Sequence, residues 1–277
     1  GHGAVSMERA VEQSCNVYFY QMGLALGIDN IHKYGSMLGL GSVTGVGLPN
    51  EVEGIMPSME WKRQRFSKNS AEQEWQPWDT LSVAIGQGFL NVTPIQMASA
   101  VSIIANGGNI HRVHLVKKVV NNITGETEEL KPAKSYKLNI PEKAFAQVRQ
   151  FAAAVVSSDH GTGKKARIAG ISVGGKTGTA QYAALDKSKK DNDHAWFVSF
   201  APVENPMIAM AILVEHGGMG GLAAAPVSKQ VMEAFFSKRG MLQPQPSVEY
   251  TGEVDEETVV EFNEELDRLE DSTQPQE

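Results

Sequence analysis

The sequence contains one cysteine, Cys15, so no disulfide can form within its 277 residues. It also lacks the run of about 18 apolar residues that a helix needs to span a bilayer. Its most apolar stretch, residues 207–214, is no longer than a strand. The chain begins Gly1-His2-Gly3 without a methionine. We therefore expect a piece of a longer protein, whose leader or anchor would lie upstream.

Lysines and arginines are scattered along the chain, which argues against a nucleic-acid-binding surface. The formal net charge of −7 comes from the C-terminal segment, because residues 247–277 hold 12 of the 32 acidic residues and one of the 25 basic residues. The remaining 24 basic and 20 acidic residues leave the body of the chain close to neutral. We expect one domain in residues 1–242 and a disordered acidic tail, rich in Pro, Gln, Glu and Thr, in residues 243–277.

Apolar periodicity and capping residues predict five helical segments. They cover residues 4–27 in two parts, 30–38, 94–105, 141–157 and 224–238. Residues 114–120 alternate toward strand and are followed by a hairpin-like turn at residues 121–125. In the C-terminal third, strand-length segments, alternating or apolar throughout, are predicted at residues 171–182, 194–201 and 207–215. The order strand, strand, strand, helix indicates an antiparallel sheet with a helix packed on it, which is an α+β architecture.

Residues 57–80 are predicted to form an exposed, irregular excursion. They contain three of the four tryptophans, two prolines and the basic cluster Lys62, Arg63 and Arg65. A solvated loop fits this composition, and so does a surface that faces peptidoglycan or a membrane protein.

The segment Lys176-Thr177-Gly178-Thr179 lies in the first predicted strand. Alternate side chains of a strand share a face, so Lys176 and Gly178 belong to one face and Thr177 and Thr179 to the other. The glycine lets a substrate approach the backbone closely. A backbone N–H beyond it can stabilise an oxyanion, and the lysine and hydroxyls can hold a carboxylate. An ordinary strand with a solvated lysine can have the same sequence, so a second motif is needed to identify a site.

Ser14-Cys15-Asn16 supplies the second motif. A serine hydroxyl can relay a proton, and an asparagine can hydrogen-bond a substrate amide. In penicillin-binding proteins and class A β-lactamases, motifs of these two kinds accompany a nucleophilic Ser-x-x-Lys. Upstream of Ser14 the only serine is Ser6, and its third neighbour is Arg9. We therefore expect the acylated serine to lie outside this chain.

Residues 1–240 resemble the class B penicillin-binding proteins, most of all the penicillin-binding protein 2 group, which acts in cell elongation. The motifs that carry the resemblance are Gly1-His2-Gly3, Ser14-Cys15-Asn16, Leu38-Gly39-Leu40-Gly41, Ile85-Gly86-Gln87-Gly88, Thr93-Pro94-Ile95-Gln96, Ala105-Asn106-Gly107-Gly108, Gly175-Lys176-Thr177-Gly178-Thr179-Ala180-Gln181 and His194-Ala195-Trp196-Phe197. The resemblance implies the fold that these proteins share with serine β-lactamases, an antiparallel sheet flanked by helices, with its N-terminal part missing here.

The resemblance also implies a mechanism. A serine, deprotonated by a lysine one helical turn later, attacks the D-Ala-D-Ala carbonyl of a peptidoglycan stem peptide, and an amine of a second stem resolves the acyl-enzyme. By motif position, Ser14 would relay a proton and Asn16 would bind the substrate amide. Lys176, Thr177 and Thr179 would bind the substrate carboxylate, and the Thr179 N–H would complete the oxyanion hole. β-Lactams would acylate the same serine.

His2 and Cys15 match two residues that hold zinc near the active site in some members of the penicillin-binding protein 2 group, together with two upstream aspartates. Histidine and cysteine are suitable zinc ligands, and a structural site takes four ligands. Two interpretations stay open: a structural zinc completed by residues outside the chain, or a buried cysteine beside a frayed N-terminal histidine. No cofactor is required for the expected reaction.

The expected partners follow from the resemblance as well. They are peptidoglycan stem peptides, β-lactams, a membrane-embedded elongation glycosyltransferase and scaffold proteins, on the periplasmic side of the bacterial inner membrane. Two alternatives stay open: a hydrolase of the same fold (a D,D-carboxypeptidase or β-lactamase) and a non-catalytic β-lactam sensor. The patterns at residues 85–96 and 196–202 favour the transpeptidase over the hydrolase. A sensor would continue into a transmembrane signalling segment.

Overall fold

The computed structural model describes residues 2–130, 135–181 and 193–242. Within these ranges the chain forms eight α-helices, and none of them is long and apolar enough to cross a membrane. The helices are α1 (Met7–Glu12), α2 (Asn16–Leu26), α3 (Ile28–Met37), α4 (Met59–Arg65), α5 (Pro77–Ala84), α6 (Pro94–Ala105), α7 (Glu142–Ser157) and α8 (Gly220–Ser237).

Seven strands form three separate sheets in the described part of the chain. The strands are β1 (Asn109–Ile110), β2 (Lys118–Val120), β3 (Thr127–Glu129), β4 (Tyr136–Lys137), β5 (Gly174–Ala180), β6 (His194–Ala201) and β7 (Ile208–Val214). Two sheets are small ribbons, β1 with β4 and β2 with β3. The third has the order β5-β6-β7 and is antiparallel throughout. The predicted α+β architecture, with an antiparallel sheet flanked by helices, is confirmed.

Both faces of the three-stranded sheet are buried, as the side chains that alternate between the two faces along β6 show. Phe197 lies in a cluster with α8 residues that include Met232 and Phe236, whereas Phe200 lies in a cluster with Val101 of α6. Neighbouring side chains of a strand point to opposite faces, so α8 covers one face and α6 covers the other. The sheet is therefore the centre of the core, and β5 lies at one of its edges.

Local sequence explains where α6 begins. The side chain of Thr93 accepts a hydrogen bond from the Gln96 N–H, and the Gln96 side chain accepts one from the Thr93 N–H, while Pro94 takes the first helical turn. This capping box starts α6 where the sequence predicted it. Helix α8 begins at Gly220, a few residues before its predicted start, because its first residues pack closely against β5 and β6.

The prediction that residues 57–80 are irregular is wrong, although many of them, including Arg63 and Arg65, are exposed. They fold into α4, a short 3₁₀ helix at Ser70–Glu72 and the start of α5. Lys62 is buried: its Nζ lies 2.5 Å from Asp79 Oδ2 and donates to Glu74 O at 2.9 Å. Lys62 belongs to the basic cluster that indicated a surface, but its charge is paired inside the fold with the carboxylate of Asp79, 17 residues further along the chain. A buried ion pair of this kind leaves no signature in local composition.

The predicted hairpin after residue 114 is confirmed as the exposed β2–β3 ribbon. Its turn is organised by the Asn121 side chain, which accepts hydrogen bonds from the Ile123 and Thr124 N–H groups. The predicted acidic tail, residues 243–277, lies outside the described residues, and so does the end of the predicted strand after Gln181.

Candidate active site

The turn between α1 and α2 presents Ser14 and Asn16. Ser14 has a left-handed backbone, with φ of 53°, and the Cys15 N–H donates to Ala10 O at 2.9 Å. The turn buries Cys15, whereas Ser14 and Asn16 line one cavity. A non-glycine residue with positive φ is uncommon, so a turn that holds a serine in this conformation indicates a functional constraint.

Lys176 of β5 meets Ser14 across this cavity. Its Nζ contacts Ser14 Oγ at hydrogen-bond distance and donates to Thr177 O at 2.9 Å. Part of the Lys176 side chain is still accessible, yet burial of its ammonium group lowers the pKa from the ordinary 10.5 to about 8. A lysine with a pKa near the working pH exchanges protons readily, and the contact gives it a hydroxyl with which to do so.

The cavity encloses about 720 Å³ and brings together every residue that the two motifs contribute to the predicted catalytic and substrate-binding set. These residues are Ser14, Asn16, Lys176, Thr177, Gly178 and Thr179. Lys164 and Lys165 also line it, and no carboxylate is among the lining residues in the described part of the chain. The cavity is therefore electropositive, which suits an anionic ligand.

The N-terminus of α8 forms another part of the cavity wall, beside β5. A Cβ added at Gly220 would lie 2.1 Å from Trp196 O and 2.5 Å from Gly178 O, so glycine is what allows the helix to reach the strands. Gly221 is similarly close to Thr162, because an added Cβ would lie 2.4 Å from Thr162 O. The positive end of the helix macrodipole adds to the positive charge of the lysines in the cavity.

Two side chains of the site were not predicted from the sequence. The Thr162 hydroxyl lies 2.8 Å from the Thr177 hydroxyl, and the Gln87 Nε2 donates to Thr179 O at 2.8 Å. Both residues stand between glycines, in Gly161-Thr162-Gly163 and in Gly86-Gln87-Gly88. The second segment carries part of the family resemblance, but the sequence assigned no site role to either residue. The usable signal was a polar residue between two glycines.

His2 and Cys15 line a second cavity, of about 620 Å³, beside the first. They line it together with Ser14 and Asn16. Within residues 2–130, 135–181 and 193–242, no group of three or more His, Cys, Asp and Glu side chains can hold a metal ion. The described residues thus supply two of the four donors that a structural zinc takes, and they do not complete a zinc site.

The sequence contains no serine followed three residues later by lysine. The cavity therefore pairs a lysine of lowered pKa with the hydroxyl of Ser14, and Ser14 does not belong to a Ser-x-x-Lys pair.

Residues 1–233 match the family described as the penicillin binding protein transpeptidase domain, and the chain belongs to this family. Its relatives within the family include MrdA proteins and penicillin-binding protein 2 structures. The peptidoglycan D,D-transpeptidase MrdA of Haemophilus influenzae is 33% identical over 250 residues, which are 86% of this chain and 37% of that protein. The MrdA protein of Acinetobacter baumannii is 36% identical over 249 residues, which are 86% of this chain and 36% of that protein.

Solved structures agree with this assignment. Penicillin-binding protein 2 of Pseudomonas aeruginosa, in complex with WCK 5153, superposes with a TM-score of 0.71 at 35% identity and covers 89% of this chain and 50% of its own. The Helicobacter pylori penicillin-binding protein 2 in complex with MreC gives a TM-score of 0.69 at 33% identity and covers 87% of this chain and 42% of its own. The chain spans little more than a third of the length of the curated relatives named above.

Proposed function

We propose that the protein to which this chain belongs cross-links peptidoglycan by D,D-transpeptidation through a serine acyl-enzyme. The observation that carries the proposal is the contact between Lys176 and Ser14 in an electropositive cavity that Asn16, Thr177 and Thr179 also line. Relatives named peptidoglycan D,D-transpeptidase support the same reaction.

The reaction has two steps, both at a serine that we place upstream of this chain. In the first, the serine oxygen bonds to the carbonyl carbon of the penultimate D-alanine, the peptide C–N bond breaks, and terminal D-alanine leaves with the proton that the serine gave up. In the second, an amine of another stem peptide attacks the ester carbonyl, the serine oxygen leaves, and a proton returns to it. Lysine and serine side chains move those protons in each step.

The residues of this chain would hold the donor peptide and pass the proton. Ser14, in contact with the depressed-pKa Lys176, relays the proton toward the departing amine. The Asn16 amide binds the peptide backbone of the donor. The hydroxyls of Thr177 and Thr179 and the positive charge of the cavity hold the terminal carboxylate, since charge-assisted hydrogen bonds are the stronger ones.

The Thr179 N–H would stabilise the oxyanion. Lys176 Nζ bonds to Thr177 O and Gln87 Nε2 bonds to Thr179 O, so the backbone groups of both threonines point away from β6. In an antiparallel strand, the N–H and C=O of one residue point to the same edge. The Thr179 N–H therefore faces the cavity, as an oxyanion donor must.

We further propose that the enzyme acts in cell elongation at the periplasmic side of the inner membrane. The penicillin-binding protein 2 relatives support this assignment. The partners we expect are a membrane-embedded glycosyltransferase and a scaffold protein such as the MreC found with the Helicobacter pylori relative. A similar structure with a TM-score of 0.69 is that of a peptidoglycan synthase complex in which polymerization and crosslinking are coordinated, and it supports a partner that polymerises peptidoglycan.

Covalent labelling with a fluorescent penicillin tests the proposal. The full-length protein should be labelled, whereas the 277-residue chain should not, because it contains no Ser-x-x-Lys. Labelling of the chain alone would show that the nucleophile lies within it. A second assay supplies a donor pentapeptide and an acceptor amine to the full-length protein. A cross-linked product is expected, and exclusive hydrolysis would establish the D,D-carboxypeptidase alternative instead.

A further inference from the structure

The side chain of Gln87 makes two hydrogen bonds to the backbone of the substrate-holding strand. Its Nε2 donates to Thr179 O at 2.8 Å, and its Oε1 accepts from the Gln181 N–H at 3.4 Å. The two backbone groups flank Ala180 at the C-terminal end of β5. The carboxamide thus bridges a carbonyl and an amide two residues apart on the cavity edge of the strand.

This pair of bonds is the pattern that a neighbouring strand would make. In parallel pairing, a residue donates its N–H to one carbonyl and accepts from the N–H two residues further along its partner strand. A carboxamide carries the same donor and acceptor as a backbone peptide group. At this point on the edge of β5, the side chain of Gln87 therefore takes the place of a strand.

The Gln87 backbone is itself tightly fixed. Its N–H donates to Ser82 O at 2.9 Å, which ties it to the last turn of α5. The flanking Gly86 and Gly88 have φ of 81° and 69°, and a Cβ at Gly88 would lie 2.8 Å from the Ser82 side chain. The loop therefore turns back on α5 in a way that only glycine permits on either side of Gln87.

Helix α5 is anchored in turn to the rest of the site. Asp79 of α5 pairs with the buried Lys62, and its Oδ2 also accepts from the Gln76 N–H at 2.8 Å. Gly23 of α2 allows close packing, since a Cβ there would lie 2.5 Å from Ala84 Cβ. Because Asn16 begins α2, the elements that carry Asn16 and Gln87 form one packed unit.

We propose that Gln87 is a positioning residue that substitutes for a strand at the end of β5 and thereby fixes the direction of the Thr179 N–H. The inference rests on the proposed function, in which this N–H binds the oxyanion. With Lys176 Nζ on Thr177 O and Gln87 on Thr179 O, the carbonyls on both sides of that N–H are held. Without Gln87, Thr179 O and the Gln181 N–H lose their hydrogen-bond partner on the edge of β5 that faces away from β6. The Thr179 N–H is then no longer held in one direction.

The test uses three variants of the full-length protein, Q87E, Q87A and Gln64→Ala. Glutamate matches glutamine in shape but has no donor for Thr179 O until it is protonated, and its ordinary pKa is about 4.3. Gln64→Ala is the matched control, because Gln64 is an exposed glutamine of α4 that bonds to Glu60. Penicillin acylation kinetics give the non-covalent affinity and the acylation rate separately, across about pH 5 to 8.

We expect Q87A to lower the acylation rate about 10-fold with the affinity almost unchanged, a smaller effect than the loss of an oxyanion donor itself. Q87E should be slower still at about pH 8, and its rate relative to wild type should rise at least about 5-fold toward pH 5, as the carboxyl regains a donor. Q87A should show no such recovery, and Gln64→Ala should behave as wild type.

Hydrogen exchange of the Gln181 N–H gives a second readout that does not need catalysis. It should quicken in Q87A and stay unchanged in Gln64→Ala. Rates of both Gln87 variants within about twofold of an active wild type would overturn the inference, and so would slow variants without acid recovery in Q87E. A wild-type protein that penicillin does not acylate would refute the proposed function instead, and Gln181 exchange would then decide whether Gln87 pairs with β5.

Discussion

Replacing Lys176 with methionine separates the stability of the site from its chemistry. Methionine has a similar length but no charge, so Lys176→Met removes an ammonium group whose pKa burial has lowered from 10.5 to about 8. It also removes the bonds from Nζ to Ser14 Oγ and to Thr177 O. The first change favours the folded state, and the second disfavours it.

The pH dependence follows from the direction of the pKa change. In the unfolded chain Lys176 stays protonated up to pH 10.5, whereas in the folded chain it loses its proton above about pH 8. Between these values the unfolded state binds more protons, so the stability of the wild type rises with pH. The lowered pKa of Lys176 corresponds to a destabilisation of the folded state by at most about 3 kcal/mol. This destabilisation is fully present below pH 8 and is gone above pH 10.5.

Two lost hydrogen bonds amount to about 2 kcal/mol together. The variant should therefore be as stable as wild type or slightly more stable at about pH 7, and less stable at about pH 10.5. Denaturant unfolding at several pH values, followed by tryptophan fluorescence, measures this difference. Groups common to both proteins cancel when the curves are subtracted. A difference that stays constant between pH 8 and 10.5 would refute the assignment of a depressed pKa to Lys176.

Two further predictions concern the scaffold of the site. Gly220→Ala should destabilise the fold by about 3 kcal/mol, because the added Cβ meets backbone oxygens that cannot move aside. The control Gly35→Ala should cost less, since its Cβ meets only the flexible Met56 side chain. Equal losses of stability in thermal unfolding would contradict this prediction. Lys62→Met should cost about 3 to 5 kcal/mol by leaving Asp79 buried and unpaired, and a second change, Asp79→Leu, should restore much of that stability. Additive losses in the double-mutant cycle would count against a buried pair.

The sequence predicted those parts of the fold that depend on local rules. The three strands of the main sheet, the capping box of α6 and the turn at Asn121 each follow from neighbours within a few residues. The error at residues 57–80 has a different origin. Lys62 is a charged residue, which usually indicates a surface position, and only its pairing with Asp79 across the fold makes it a core residue. Pairings of this kind arise from tertiary packing, which no local pattern contains.

The site shows the same division between motif and context. Ser14, Asn16 and Lys176 were predicted because their chemistry and order are distinctive, but Gln87 acts on a strand 92 residues away, and its partners are backbone atoms that are identical in every sequence. The pKa of Lys176 depends on context in the same way. A Lys-Thr-Gly-Thr segment on a solvated strand would keep its lysine near 10.5, and only the surroundings of β5 bring this one to about 8. Four residues can therefore identify the site, but the tertiary surroundings give the lysine a pKa at which it exchanges protons near neutral pH.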